Sequence, residues 1–272
     1  MSDKKVVLIT GSFSGNGQSI AQLLAQRGFA VFGTSRNPSS VQTIPGVEVL
    51  PLDVCLEESV DACVNTLLKK AERMDVLVNN AGYTLAGAIE ESTLEQAKAQ
   101  FETNFFGVAR MVKAALPIMR RQGNGQIINI SSAVGLASLP FLGIYSASKF
   151  AVEGYTEALR HEVKPFQIRV SLVEPGFIKT NLLHNTQYGS DRISDYDPWQ
   201  QPAAETYRQY IDKATEPARV AECVLHIIES KSPKLRYTVG RDASWISRLH
   251  RLLPESLLEQ ATRWSLHLDS KK

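Results

Sequence analysis

Short apolar segments alternate with amphipathic helical patterns along most of this 272-residue chain, and this alternation constrains the fold more than any other feature. Six segments are predicted to be strands, at residues 6–9, 29–34, 47–52, 75–78, 126–130 and 168–173, with a candidate seventh at 237–240. Mostly apolar strands separated by helices are typical of a parallel sheet covered on both faces. Because no repeat or linker interrupts them, we predict an α/β fold with a single domain over residues 1–272.

A glycine-rich turn joins the first apolar segment to the first helical pattern. The turn contains Gly11, Ser12, Ser14, Gly15, Asn16 and Gly17. In a strand–turn–helix unit of this kind, the backbone can approach a phosphate and the N–H groups at the helix start point towards it. The turn therefore predicts a phosphate-binding site, with a tight turn that binds nothing as the alternative.

The second strand ends in Ser35 and Arg36, with no acidic residue there. In dinucleotide-binding folds a carboxylate at this point binds the ribose hydroxyls, whereas an arginine accommodates a 2′-phosphate. A guanidinium pairs well with phosphate, so the sequence favours NADP(H) over NAD(H). The alternative is that Arg36 is a solvated surface residue.

Two further predicted strands end in short polar or small residues. The third is followed by Asp53, and the fourth leads into Asn80, Ala81 and Gly82. Small residues at the carboxyl end of a strand allow close approach of a ligand in the crevice where such sheets bind cofactors. An ordinary strand-to-helix turn is the alternative here.

Tyr145 and Lys149 are spaced four residues apart on a predicted helix, so both side chains lie on one face. A neighbouring cation favours the phenolate and would lower the pKa of Tyr145, which makes a tyrosine usable as an acid or base. Ser132 lies 13 residues earlier in the chain, across a loop that can fold back. The pair alone could also be a surface pair.

A long helical pattern covers residues 93–121, and Pro117 within it predicts a kink or a break. Asn104 lies inside this pattern and is a poor residue for a helix interior. Its side chain is either exposed, or it perturbs the helix and holds a water molecule.

Two segments outside the alternation are candidates for contact with a substrate. Residues 178–214 are polar and turn-rich, and we predict an irregular substrate loop containing Tyr188, Tyr196, Trp199, Tyr207 and Tyr210. Residues 243–268 form an amphipathic extension that could pack on its own domain, cover the substrate entrance, form a subunit contact or touch a membrane surface. The aromatic residues suggest an apolar substrate, although each could simply pack its segment onto the body.

The composition excludes several classes of function. A formal net charge of +2 is too small to imply a nucleic-acid or membrane partner. Three cysteines without paired spacing favour a reducing compartment, and the apolar run near the start is too short for a signal peptide. We expect a cytoplasmic protein without an integral membrane segment, and we predict no metal site.

Taken together and in order, the motifs resemble those of the short-chain dehydrogenase/reductase family, over about residues 4–240. The matching residues are Thr10-Gly11-x-x-x-Gly15-x-Gly17, Asp53, Asn79-Asn80-Ala81-Gly82, Asn104, Ser132, Tyr145-x-x-x-Lys149 and Pro175-Gly176. The resemblance implies a seven-stranded, doubly wound Rossmann-like sheet and hydride transfer between a nicotinamide and an alcohol or carbonyl carbon. Asn16 departs from the family, which usually has an aliphatic residue there.

The resemblance also implies a role for each matching residue. Tyr145 would be the acid/base, Ser132 would hydrogen-bond the carbonyl oxygen, Lys149 would bind the nicotinamide ribose and lower the pKa of the tyrosine, and Asn104 would hold a relay water. The implied cofactor contacts are the turn from Gly11 to Gly17, Ser35, Arg36, Asp53, Val54, Asn80, Ala81, Gly82, Tyr145, Lys149, Pro175, Gly176, Ile178 and Thr180.

These inferences predict an NADP(H)-dependent oxidoreductase that interconverts a carbonyl and an alcohol on a small hydrophobic substrate. The Ser35-Arg36 pair and the tail resemble the steroid- and retinol-dehydrogenase-like branch of the family. By the same resemblance we expect a homodimer or homotetramer. A regulatory protein that binds NADP(H) without turnover is the alternative, while a methyltransferase would not require Tyr145 and Lys149 at this spacing.

Overall fold

The computed structural model describes residues 4–180 and 186–269, apart from the side chain of Arg251. Seven parallel strands form one sheet: β1 Val6–Ile9, β2 Ala30–Ser35, β3 Val47–Pro51, β4 Val76–Asn79, β6 Gly125–Ile130, β7 Ile168–Pro175 and β9 Arg236–Val239. Their order is β3-β2-β1-β4-β6-β7-β9, so the direction of winding reverses between β1 and β4. The predicted α/β class and the seventh strand are confirmed, and ligands of such sheets bind at this reversal.

Helices cover both faces of the sheet, and the mostly apolar central strands are buried on both sides. One face packs against α2 (Glu57–Ala71), α4 (Gly107–Gln122) and α5 (Gly143–Glu162). The other face packs against α1 (Gly15–Gln26) and α7 (Pro217–Glu229). These two buried clusters hold the carboxyl ends of the strands at one edge of the molecule.

The helical pattern at residues 93–121 contains a local change of geometry at Asn104. It forms α3 (Leu94–Phe101), a π-helical turn (Glu102–Phe106) and then α4. Pro117 lies inside α4, which continues to Gln122, so a break at the proline is wrong. The perturbation lies instead at the asparagine, as one of the two sequence alternatives expected, and π-helical turns are frequent at functional sites.

The predicted irregular substrate loop is largely regular, which corrects the sequence interpretation. Of residues 178–214, those at 181–185 lie outside the described residues. Residues Asp197–Asp212 form helix α6, with Pro198 in its first turn. A second, two-stranded sheet pairs β5 (Thr84–Ala86) with β8 (Thr186–Tyr188), and the sequence analysis did not predict it. The polar composition of α6 concealed its helical character.

The C-terminal extension forms two helices, α8 (Arg241–Leu252) and α9 (Glu255–Ser265). Several of its apolar side chains are exposed, including Trp245, Leu249, Leu252, Leu257 and Trp264. Among the helices of the described residues, none has the length and apolar character needed to cross a membrane.

Candidate active site

The glycine-rich turn lies between β1 and α1, at the edge where the strands end. Gly11 and Gly15 have φ angles of 62° and 50°, a conformation that glycine adopts without strain. A Cβ atom on Gly17 would lie 2.2 Å from the Gly11 carbonyl oxygen and 2.5 Å from Nδ2 of Asn80. The turn is therefore tight, and it places backbone N–H groups at the start of a helix, where an anion is stabilised.

Asn80 holds the turn in this shape from the end of β4. Its Nδ2 donates to the carbonyl oxygens of Thr10 (3.0 Å) and Gly11 (2.8 Å). The hydroxyl of Thr10 accepts the backbone N–H groups of Asn80 and Ala81, both at 2.9 Å. The side chain of Ser12 is fully buried, facing Gly33, and its backbone N–H donates to the carbonyl oxygen of Thr34 (3.2 Å), so Ser12 shapes the turn and offers no free donor to a phosphate.

The residues predicted to bind the adenosine half lie further along the same edge. Arg36 is exposed, and within the described part of the chain no hydrogen bond or ion pair engages its guanidinium group. Ser35 accepts the N–H of Asn37 (3.2 Å), and the carboxylate of Asp53 accepts the N–H of Cys55 (2.9 Å). The side chain of Val54 is buried, beside Gly107, which leaves its backbone as the group available to a nucleotide.

Tyr145 lies in the first turn of α5 and is partly buried. Burial raises the pKa of Tyr145 above its ordinary value, while hydrogen bonding to the hydroxyls of Ser132 and Thr84 acts in the opposite direction. This net direction is contrary to the lowered pKa that the sequence analysis expected. The Lys149 ammonium lies 5.9 Å from the centre of the Tyr145 ring and is itself desolvated.

The Lys149 side chain is buried beneath Tyr145, one helical turn along α5. Its Nζ donates to the carbonyl oxygen of Ile130, 2.9 Å away. Burial lowers the pKa of Lys149 to about 8, and the nearby carboxylate of Glu153 partly offsets this effect. The ammonium can therefore change its charge within the pH range in which enzymes operate.

Asn104 connects the π-helical turn to α5, the helix that carries Tyr145 and Lys149. Its Oδ1 accepts the N–H of Tyr83 (3.1 Å), and its Nδ2 donates to the Tyr83 carbonyl oxygen (3.0 Å) and to Oγ of Ser148 (3.2 Å). Ser148 in turn donates to the carbonyl oxygen of Tyr145 (2.7 Å). Asn104 is thus buried and fully engaged, which excludes the exposed alternative.

One cavity of about 310 Å³ brings together residues from distant parts of the sequence. Among the predicted site residues, Asn16, Ser132, Tyr145, Pro175, Gly176, Ile178 and Thr180 line it. Lys149 and Asn104 lie behind Tyr145. The other predicted site residues do not line the cavity: the rest of the glycine-rich turn, Ser35, Arg36, Asp53, Val54 and the Asn80–Gly82 segment. Its other walls are mostly apolar, with Val134, Leu139, Phe141, Leu142, Phe177 and Ile211 among them.

The sequence analysis missed two residues of this site. Thr84, in β5, places its hydroxyl beside that of Tyr145. Asp242, in the first turn of α8, accepts the N–H of Phe177 at 2.6 Å and packs against Gly176. Thr84 follows Gly82 by two residues but belongs to no motif, and Asp242 lies far from every motif, so no local signal pointed to either residue. Their positions depend on contacts between segments that are far apart in the chain.

The family model described as short chain dehydrogenase matches residues 5–190. A 3-ketodihydrosphingosine reductase from Bacteroides thetaiotaomicron is 39% identical over 274 residues, an alignment that covers 95% of this chain and 97% of that protein. Retinol dehydrogenase 8 from Bos taurus is 36% identical, over 85% of this chain and 80% of the relative.

Solved structures resemble this fold closely. A short-chain dehydrogenase from Streptomyces avermitilis superposes with a TM-score of 0.84 at 34% identity, covering 97% of both chains. ElxO, solved with NADP bound, gives a TM-score of 0.72 at 29% identity, over 87% of this chain and 97% of that one. A 3-ketoacyl-(acyl-carrier-protein) reductase from Brucella melitensis, complexed with NADH, gives a TM-score of 0.76 at 26% identity, covering 89% of this chain and 100% of that one. Similar structures therefore hold either NADP or NADH.

Proposed function

The chain belongs to the short-chain dehydrogenase family, and we propose that it transfers hydride between NADP(H) and a carbonyl or alcohol carbon of a hydrophobic substrate. The observation that carries the proposal is the single cavity that joins Tyr145 and Ser132 to the Pro175–Thr180 segment. Two relatives are named for a keto compound and for retinol, which supports a carbonyl or alcohol as the reacting group.

The residues present fit a dinucleotide. The glycine-rich turn is packed so closely at Gly17 that no side chain could occupy that position, as a turn that presents its backbone to a phosphate requires. Arg36, exposed at the end of β2, would pair with a 2′-phosphate, which supports NADP(H) over NAD(H). The nicotinamide would supply or accept the hydride.

We assign the polarisation of the substrate carbonyl to Ser132 and Tyr145. Both hydroxyls face the cavity and can donate to an oxygen that becomes negative as the carbon is reduced. Ser132 is held by Val134, whose N–H donates to its Oγ (3.3 Å). Tyr145 is held from behind through the chain of hydrogen bonds from Asn104 to Ser148. These contacts position the Ser132 hydroxyl and the backbone of Tyr145 before a substrate arrives.

Tyr145 would also give the proton that completes reduction. Because burial raises its pKa, the phenol is protonated at neutral pH, which is the state in which a reductase begins each turnover. The Lys149 ammonium, still charged below about pH 8, would stabilise the phenolate left behind. The raised pKa of the tyrosine thus favours reduction at neutral pH and oxidation at higher pH.

Replacement of Tyr145 tests the proposal. Tyr145→Phe should lower kcat for a hydrophobic ketone by about 10²–10⁴-fold, because the proton donor is lost, while NADPH binding stays within about twofold of the wild type. Activity would be followed by NADPH oxidation and binding by fluorescence titration. Tyr155→Phe is the matched control, since this partly buried tyrosine of the same helix lies outside the cavity.

Two results would contradict the proposal. If Tyr145→Phe retains most of the wild-type activity, another group supplies the proton. If the wild type binds NADPH but oxidises none of it with a broad panel of ketones, the regulatory alternative is favoured.

A further inference from the structure

We propose that the active-site cavity continues into a groove beneath the C-terminal helices, and that this groove holds a single unbranched hydrocarbon chain attached to the reacting carbonyl. The inference rests on the proposed function and extends it to a class of substrate. It assigns a binding role to α8 and α9, which lie beyond the part of the chain that the family model matches.

The two spaces are continuous. The groove has a volume of about 1360 Å³ and extends from the active-site cavity to the outer end of α9. Six residues line both spaces: Leu139, Phe141, Phe177, Tyr207, Asp242 and Ile246. Tyr145 lines the cavity but not the groove. A molecule that reacts at Tyr145 and extends past the shared residues would therefore enter the groove.

Five of the six shared residues are aliphatic or aromatic, and the sixth, Asp242, accepts the backbone N–H of Phe177, so the passage is mostly apolar. The hydroxyl of Tyr207, on α6, donates to the carbonyl oxygen of Pro140 at 2.8 Å and so ties that helix to the loop before α5. The Phe177 ring packs against Tyr207 and Tyr210, with ring centres 5.9 and 5.4 Å apart. Because the hydroxyl of Tyr207 is engaged in this hydrogen bond, Tyr207 offers its ring to the passage, as Phe141 and Phe177 do.

A strained residue lies in the same passage. Phe141 has a φ angle of 61°, a conformation that a residue with a bulky side chain rarely adopts. Its carbonyl oxygen accepts the N–H of Gly87 at 2.8 Å, which holds the strained backbone in place. Strain of this kind persists where the surrounding structure imposes it and is concentrated at ligand sites. Here it directs the aromatic side chain to the point where the cavity meets the groove.

The far part of the groove is lined by large apolar side chains that lack cover. Trp245 and Trp264 line it with 60% and 80% of their surfaces exposed, and the partly or largely exposed Leu249, Leu258 and Leu268 also line it. Contiguous exposed apolar surface of this kind typically marks a binding groove or an interface. Its continuity with the catalytic cavity favours a substrate chain over a separate partner.

The charges of this region favour a neutral occupant. Among the described residues that line the groove, the three cations Lys213, Arg241 and Arg263 are matched by three acidic residues, Asp242, Glu255 and Glu259. An anionic membrane surface would be attracted by a surplus of lysine or arginine. Arg263, which lines the groove, is paired with Asp269 at 2.7 Å. The occupant that matches balanced charge and apolar walls is a hydrocarbon chain.

A series of 2-alkanones, from butanone to about tetradecan-2-one, tests this inference with the whole protein. If methylenes enter the groove one after another, kcat/KM should rise by up to roughly fourfold for each methylene buried, until the groove is full. Leu249→Trp should narrow the groove and lower kcat/KM for the longest ketone at least tenfold more than for butanone. Leu257→Trp is the matched control, because Leu257 is exposed on α9 but does not line the groove.

The outcomes separate the inference from the proposed function. If Tyr145-dependent reduction is observed but kcat/KM is flat with chain length, or if Leu249→Trp and Leu257→Trp behave alike, the groove is not a chain site and the proposed function stands. If no ketone is turned over, titration of tetradecan-2-one against tryptophan fluorescence still decides, because Trp245 and Trp264 line the groove. A change in fluorescence that the wild type and Leu257→Trp show but Leu249→Trp does not would support the chain site. If the ketone does not change the fluorescence of the wild type, the inference is overturned.

A different occupant would also be recognisable. If Leu249→Trp changes the mass of the protein in solution and leaves the dependence on chain length untouched, the groove is a subunit contact. If the wild type sediments with neutral or anionic vesicles and the variant does not, again with unchanged chain-length dependence, the groove docks on a membrane. Either result overturns the inference.

Discussion

The wall that carries Tyr145 faces a second wall, which α6 and α8 form across the cavity and α9 extends along the groove, but the two walls are stabilised by different means. Tyr145 and Lys149 lie on α5 and Asn104 lies in the π-helical turn before α4; both helices bury apolar faces in the main core, and hydrogen bonds to the backbone hold Lys149 and Asn104. The opposite wall consists of helices with exposed tryptophans and leucines, tied to the body by a few contacts such as that from Tyr207 to Pro140.

This difference separates chemistry from specificity. Proton and hydride transfer require donors fixed to within a fraction of an ångström, and buried strands and helices supply that rigidity. Substrate choice requires a surface that can change without disturbing the donors, and peripheral helices supply it. Substitutions in the catalytic wall should therefore be costly and general, and those in the opposite wall should be mild and dependent on the substrate.

The largest effect should come from the glycine-rich turn. In Gly17→Ala the new Cβ atom would lie 2.2 Å from the Gly11 carbonyl oxygen, so the turn must open and NADPH should bind at least a hundredfold more weakly. Overpacking of this kind also costs about 3 kcal/mol of folding stability at the upper end of its usual range. Thermal unfolding and NADPH titration would measure both effects.

Gly154→Ala is the control for that substitution. Gly154 is an exposed residue of α5, and a Cβ atom added to it would meet nothing within 4 Å. Alanine there should be neutral or stabilise the helix by up to about 1 kcal/mol. If the two alanine variants bind NADPH equally well, the close packing of the turn does not matter for the cofactor.

The second largest effect concerns Arg36, at the cofactor end of the same wall. Arg36→Ala should weaken NADPH binding by roughly 10–100-fold, the equivalent of a charged hydrogen bond worth about 1.5–3 kcal/mol, and leave NADH binding nearly unchanged. Arg27→Ala removes the same charge from an exposed site at the far end of α1 and should change neither affinity. Equal losses for both cofactors would show that Arg36 does not read the 2′-phosphate.

The third effect is a shift in pH dependence rather than a loss of activity. Burial lowers the pKa of Lys149 to about 8, and the nearby carboxylate of Glu153, which also pairs with Arg236, keeps that pKa from falling further. Activity that needs the ammonium should fall as the pH rises through about 8. Glu153→Gln removes the negative charge that stabilises the ammonium, so the pKa of Lys149 should drop further. The loss of activity with rising pH should then begin at a lower pH than in the wild type.

Glu157→Gln separates that effect from the ion pair itself. Glu157 is one turn further along α5, is more exposed and also pairs with Arg236, at 3.1 Å. Its loss should leave the pH profile of kcat/KM where it is in the wild type. If the pH profile of kcat/KM moves equally in both variants, the ion pair with Arg236, and not the carboxylate beside Lys149, determines the pH at which activity falls.

The smallest effect should come from the opposite wall. Tyr207→Phe removes the hydrogen bond to the Pro140 carbonyl oxygen, and a bond of this kind contributes about 0.5–1.5 kcal/mol. KM for a hydrophobic ketone should rise a few-fold while kcat is nearly unchanged, because the donors on the other wall do not move. Tyr196→Phe, which removes an exposed hydrogen bond to Glu90, should leave KM unaffected. A large fall in kcat for Tyr207→Phe would break the division between the two walls.

The fold could be predicted from the sequence because its signals are local. Most strands of the main sheet are short apolar runs, and closely spaced glycines mark the turn after β1. The helix α6 was missed because its polar residues and internal Pro202 resemble a loop, although contacts with the body stabilise it. The strand at Thr84–Ala86 was missed because three residues give no periodicity of their own.

The sequence by itself determined the order of the seven main strands along the chain, the glycine-rich turn and the spacing that puts Tyr145 and Lys149 on one helical face. These features depend on residues within a few positions of one another. Tertiary structure decided the direction of the Tyr145 pKa, the placement of Thr84 and the continuity between the cavity and the groove. Desolvation and cavity shape arise from segments that are distant in the chain, and no local pattern encodes how much water such segments exclude when they meet.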